Sequence, residues 1–258
     1  MAEHIDRNRI EEIKLEVEGL LDHVRSSKAP HPDAQASAGQ DLARYFDHTL
    51  LKPDATHGQF RDLCSEAAEV RAFSVCVPPN RVRLAVDELS GSQVKTCTVV
   101  GFPLGYATPA SKAAEVAELR ELGCHEFDTV IPVGKVKEGN WNALYEDVAA
   151  VVDAASGKLV KVILETALLT PYEIAAAGYV ALRAGADMLK TSTGFASGGA
   201  SVEAVRIMRL VAGDVAGVKA SGGIRELSFT KELIEAGADR IGASSTLRIL
   251  EEAGSHGV

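Results

Sequence analysis

The chain has 258 residues, 46% hydrophobic, 5% aromatic and 24% charged, which excludes general disorder and suffices to bury one large core or two small ones. Asp plus Glu number 36 against 27 Lys plus Arg, a formal net charge of −9; no basic field gathers nucleic acid or anionic lipid, so an anionic ligand must be held locally. No apolar run approaches the roughly 18 residues of a membrane span, the N-terminus lacks the apolar region of a signal peptide, and Cys64, Cys76, Cys97 and Cys124 form neither a CxxC nor a zinc spacing, which predicts a cytoplasmic protein stabilised by packing.

Ile10, Ile13, Val17, Leu20, Leu21 and Val24 recur at helical spacing in a charged background, which predicts an amphipathic helix over 8–25. Residues 26–40, SSKAPHPDAQASAGQ, lack periodicity and read as a linker. From residue 41 onward, eight short apolar or β-branched runs alternate with helical segments: ARYFDHT, FSVCVPP, VKTCTVVGFP, HEFDTVIPVG, LVKVILETA, ADMLKTSTGF, AGVKASGG and ADRIGASS. Each run with its helix is about one βα unit, and eight such units close a barrel of roughly 250 residues. ELGCHEFD, RAGADMLK and EAGADRIG echo one another, with glycine at a left-handed helix stop just before a strand. An open doubly wound sheet would favour a GxGxxG after the first strand, and none is present. The expected fold is an α/β protein, a (β/α)8 barrel over 41–258, with an N-terminal helix and linker extension over 1–40.

In such a barrel the active site lies at the carboxyl ends of the strands. The runs end near Asp47, Cys76, Val100, Asp128, Glu165, Lys190, Lys219 and Gly242. Two lysines on neighbouring strands are the informative pair, because an amine is nucleophilic at neutral pH only when its proton is made easier to lose, and a nearby ammonium does that. Position alone leaves two readings open: carbonyl chemistry through a Schiff base, or rim lysines paired with Asp47, Asp128 or Glu165. Asp128 is correspondingly either a general acid/base or a lysine partner, and Cys76 reads as a small buried hydrophobe. Gly222 and Gly223 let backbone approach a ligand, and Gly242, Ala243, Ser244 and Ser245 open a helix whose free N–H groups suit phosphate. Thr193 and Gly194 add donors after the sixth strand. The seven histidines contain no HxH or HxxxH pair, so a metal-dependent aldol mechanism is disfavoured, and His48 reads as orienting backbone.

At these residues the sequence resembles the 2-deoxyribose-5-phosphate aldolase family of class I aldolases, over about residues 41–252. The resemblance is carried by DHTLLKPDAT, SVCVPPNRV, VVGFPLGYAT, HEFDTVIPVG, KVILETALLT, GADMLKTSTGF, VKASGGIR and GADRIGASS. It implies that Lys190 is the Schiff-base lysine, that Lys219 is the second lysine that lowers its pKa and transfers protons, and that Asp128 is the proton-relay carboxylate. It also matches Gly194, Gly222, Gly223, Ser244 and Ser245 to phosphate-holding loops, and Asp47 and Cys76 to strand ends lining the pocket. The implied reaction is reversible cleavage of 2-deoxy-D-ribose 5-phosphate to D-glyceraldehyde 3-phosphate and acetaldehyde, with no cofactor, by a homo-oligomer (dimer or tetramer) that binds neither nucleic acid nor membrane. Another Schiff-base barrel aldolase, or a silent sugar-phosphate-binding barrel, is the alternative. Ala167, Pro132 and the SHGV terminus depart from common family residues.

Overall fold

The computed structural model describes residues 42–255, together with Leu15, Glu18, Gly19 and Asp22, which are helical. The expected linker over 26–40, and the rest of the expected helix over 8–25, lie outside the described residues. Eight strands alternate with helices: β1 Phe46–Thr49, α1 His57–Glu69, β2 Ser74–Val77, α2 Val82–Glu88, β3 Lys95–Val100, α3 Pro109–Glu121, β4 Glu126–Val130, α4 Val133–Lys137 and α5 Trp141–Ala155. Then come β5 Leu159–Ile163, α6 Pro171–Arg183, β6 Met188–Lys190, α7 Val202–Ala212, β7 Gly217–Ser221, α8 Leu227–Glu235, β8 Arg240–Ala243 and α9 Thr246–Ser255. The strands are parallel and close in sequence order, with β1 pairing both β2 and β8, which is the expected (β/α)8 barrel.

Local chemistry sets the helix boundaries. Thr170 and Glu173 form a reciprocal capping box ahead of α6, with Pro171 in its first turn, so two of the otherwise unpaired N–H groups are satisfied. Thr108, Asn140 and Ser201 cap α3, α5 and α7 through their side-chain oxygens. Gly123, Gly185 and Gly237 follow α3, α6 and α8 with φ of +95°, +95° and +110°, which accounts for the sequence echo. At Gly237 a Cβ would also fall 2.6 Å from Cγ of Arg209.

Alternation along the strands sorts residues into two layers. Phe46, Val75, Phe127, Val160, Val162, Leu189, Val218 and Ile241 point outward and form the main core against the helices. Their sequence neighbours point into the barrel, and there Cys76, Cys97 and Val99 make a small separate apolar cluster. Beside it the interior carries many charges: Asp47, Glu126, Asp128, Lys161, Lys190, Lys219 and Arg240 are all buried. A barrel lumen is ordinarily filled by branched apolar side chains. A charged one places function inside it.

Candidate active site

Short strands bring the charged residues into register. Lys190 of β6 pairs with Lys219 of β7, Lys219 with Arg240 of β8, and Asp128 of β4 with Lys161 of β5. Both Lys190 and Lys219 reach the same carboxylate oxygen, each Nζ lying 2.8 Å from Oδ2 of Asp128. The other oxygen, Oδ1, accepts from Lys161 at 2.8 Å and from the Cys97 thiol at 3.2 Å. Lys219 also meets Asp47 at 2.5 Å. Beneath this layer Arg240 binds Asp47 at 2.5 Å and Glu126 at 3.1 Å, while Lys161 reaches Glu126 at 2.6 Å.

These contacts set the ionisation states. Burial alone would push the Asp128 carboxyl up, but the ammonium groups of Lys161, Lys190 and Lys219 outweigh it and hold the group well below the usual carboxylate range. Asp47 is lowered against the same burial effect, by Lys219, Arg240 and Lys161. Burial favours the neutral form of Lys219, yet Asp128 and Asp47 raise it above the ordinary lysine value. Lys219 is therefore a protonated donor at neutral pH. Cys76 is lowered, chiefly by its neighbour Cys97, while burial drives Cys97 well up.

Above the charged layer a cavity of about 280 Å³ opens at the carboxyl ends of the strands, at the small end of ligand-sized pockets. Lys190, Thr193, Gly194, Gly222, Gly223, Gly242 and Ser244 line it, so the two glycine-rich loops and the end of the sixth strand meet at one cavity. Gly222 has φ +92°, and a Cβ placed on it would stand 3.1 Å from Cα of Gly199 and 3.6 Å from Cα of Gly194, while a Cβ on Gly199 would fall 2.3 Å from the Gly222 carbonyl oxygen; the two loops meet here at a distance that side chains would prevent. At Gly242 a Cβ would stand 3.0 Å from Cε of Lys219. This glycine keeps room for the lysine stem.

The remaining expected residues fall elsewhere. Asp47 and Cys76 do not line the cavity and have no exposed surface; they sit before the strand ends, so they support the layer below. Ser245 precedes α9, where its carbonyl accepts from the N–H of Ile249 at 3.1 Å. Glu165 lies beyond the end of β5 with φ +56°, and its carboxylate accepts from the hydroxyl and N–H of Thr193, fixing the loop after β6. The His48 ring bonds the Glu66 side chain at 2.9 Å instead of backbone, because its position in β1 turns it outward toward α1.

Lys161, Glu126, Arg240 and Cys97 were not expected in the site, and neither were the exposed cations Lys52 and Arg225, which line the cavity mouth. Among the described residues two sets of potential metal donors converge, Cys76 with Cys97 and Asp128, and Asp47 with Cys97 and Glu126. Each carboxylate among them already holds lysine or arginine cations.

A buried amine beside a shared carboxylate, under a cationic and glycine-rich mouth, suits carbonyl chemistry on a small anionic substrate, the class of work done by aldolase barrels. The chain belongs to the DeoC/LacD family of aldolases, whose model matches residues 42–254. It is 52% identical over 210 residues to the deoxyribose-phosphate aldolase of Streptococcus gordonii, covering 81% of this chain and 96% of that one. It is 49% identical over 213 residues to the Clostridium tetani enzyme of the same name, covering 82% and 99%. Among solved structures, the tetrameric deoxyribose phosphate aldolase from Aeropyrum pernix superposes with a TM-score of 0.80 at 34% identity, over 87% of this chain and 96% of that one.

Proposed function

We propose that this protein is a lyase that reversibly cleaves 2-deoxy-D-ribose 5-phosphate to D-glyceraldehyde 3-phosphate and acetaldehyde through a lysine Schiff base. One observation carries the assignment of roles: Lys190 and Lys219 share a single oxygen of Asp128 directly below the cavity. Lys190, which lines the cavity, gives up its proton to the network and attacks the C1 aldehyde of the open-chain sugar. Loss of water forms an iminium, which accepts the electron pair of the C2–C3 bond when that bond breaks. Asp128 takes the C3 hydroxyl proton; protonated Lys219 later gives a proton to the enamine carbon and recovers one from Asp128. Hydrolysis then frees acetaldehyde and the Lys190 amine.

The phosphate is assigned to Gly194, Gly222, Gly223, Ser244 and Ser245, where backbone N–H groups at the start of α9 and the cations Lys52 and Arg225 favour a dianion. Anchoring there holds C3 over the relay. The catalytic unit is assigned to residues 41–258. A homo-oligomer and a cytoplasmic location complete the reading; among the described residues no helix is long and apolar enough to cross a membrane, and the four cysteines are free thiols, as a reducing compartment requires.

The test is incubation with acetaldehyde and borohydride followed by peptide mass mapping. An ethyl group added at Lys190 is expected. Modification confined to Lys219 would exchange the two lysines, and no modification at either would end the Schiff-base reading.

A further inference from the structure

We propose that Lys161 is a positioning residue, which clamps one oxygen of Asp128 so that the other is presented to both lysines of the reacting layer. The inference rests on the roles given above to Asp128 and Lys190. Lys161 sits in the middle of β5, in register with Asp128, and has no exposed surface. It does not line the cavity, so any influence on the reaction must pass through a neighbour.

The two oxygens of Asp128 are divided between different tasks. Oδ1 faces Lys161 at 2.8 Å, and Oδ2 faces Lys190 and Lys219. The torsion that turns a carboxylate about its Cβ–Cγ bond is soft and broad. Without the Lys161 ammonium only the weak Cys97 thiol donor would hold Oδ1, and the carboxylate could turn to offer both oxygens to Lys190. A relay in that posture loses its aim at the C3 hydroxyl, because geometry comes before basicity in proton transfer. Glu126 at 2.6 Å and Asp47 at 3.8 Å fix Lys161 from the far side. Against the cost of burial these carboxylates and Asp128 keep it charged, well above the ordinary lysine range, so the clamp stays closed through the working pH range.

The obvious competing account is that Lys161 only neutralises buried Glu126. Lys161→Met alone cannot separate the two, since it would also take from that carboxylate the nearer of its cations and leave it to Arg240. The informative comparison is Glu126→Gln against Glu126→Gln with Lys161→Met, in which the charge pair is removed together. The measurements are kcat and KM for the sugar phosphate, deuterium exchange into the methyl group of acetaldehyde, and thermal melting.

The double variant is expected to fold and to keep KM within about twofold, while kcat and deuterium exchange each fall roughly 100-fold relative to Glu126→Gln. Lys161→Gln, which retains a shorter neutral donor, covers the case of an insoluble Met variant, with the same kcat-only loss expected at smaller size. Turnover near that of Glu126→Gln, or a loss in which KM rises as much as kcat falls, would overturn the clamp while leaving trapping at Lys190 intact. Failure of the parent enzyme to trap at Lys190 would overturn the clamp and the catalytic reading together.

Discussion

Replacing Asp128 by Asn removes the one group that three ammonium ions share. Around the lumen three carboxylates, Asp47, Glu126 and Asp128, face four cations, Lys161, Lys190, Lys219 and Arg240; the variant leaves two anions for the same four cations. Breaking a buried ion pair typically costs about 3–5 kcal/mol, and in a chain of this size each kcal/mol moves the melting temperature by roughly 2–4 °C, so a fall of roughly 6–20 °C is expected. Catalysis should suffer separately, because an amide cannot accept the C3 proton, and general acid–base groups contribute about 10²–10⁴-fold. Asp128 does not line the cavity, so KM for the sugar phosphate should change little. Release of glyceraldehyde 3-phosphate, borohydride trapping and calorimetry read the three effects independently. The expected pattern is slow turnover, persistent trapping at Lys190 and a lower melting temperature. Turnover near the parent rate would refute the relay, and an unchanged melting temperature would refute the electrostatic account of the lumen.

The depressed ionisation of Asp47 and Asp128 stabilises the fold above their ordinary value of 3.8 and is lost as pH falls through the folded-state values, whereas the raised Lys219 and Lys161 stabilise below their ordinary 10.5 and lose that contribution only as pH rises beyond it. Denaturant titrations should therefore show a neutral plateau and an acid decline, and Asp47→Asn should flatten that decline; an unchanged acid slope would count against the assignment. Ser244→Asp, placing an anion on the cavity wall, should raise KM for deoxyribose 5-phosphate by roughly tenfold or more while leaving free deoxyribose unaffected, and equal losses on both substrates would move phosphate elsewhere. A chain beginning at Asp41 should retain its circular dichroism and turnover, because all eight strands follow that point; an aggregated or inactive product would place part of the core in the first 40 residues.

The fold was legible because each βα unit carries its own punctuation. The glycine after α3, α6 and α8 stands three residues ahead of a strand in every case, and Pro171 behind Thr170 marks the start of α6 as clearly as a cap can. Less visible were the ends of the strands. Glu165 reads as the end of β5, yet the strand stops at Ile163 and Glu165 begins a three-residue 3-10 turn over Thr166–Leu168. A turn that short has no period for a pattern to reveal.

The same limit shaped what could be seen of the site. Attention to strand ends finds Lys190, the last residue of β6, and the glycine loops above it. It cannot by itself find Glu126, Lys161 or Arg240, which belong to the layer beneath. Their signal is parity: Glu126 precedes Asp128 by two residues, Lys161 precedes Ile163, and Arg240 precedes Gly242, so each shares the inward face with a residue nearer the mouth. A lysine inside LVKVIL breaks a run otherwise suited to complete burial, and a charge there needs partners from other strands. Those partners can be named only once closure sets neighbouring strands in register, because Lys161 meets Glu126 and Asp128 from β4 and Asp47 from β1. Parity tells which side chains enter the lumen. Register decides which of them share a proton.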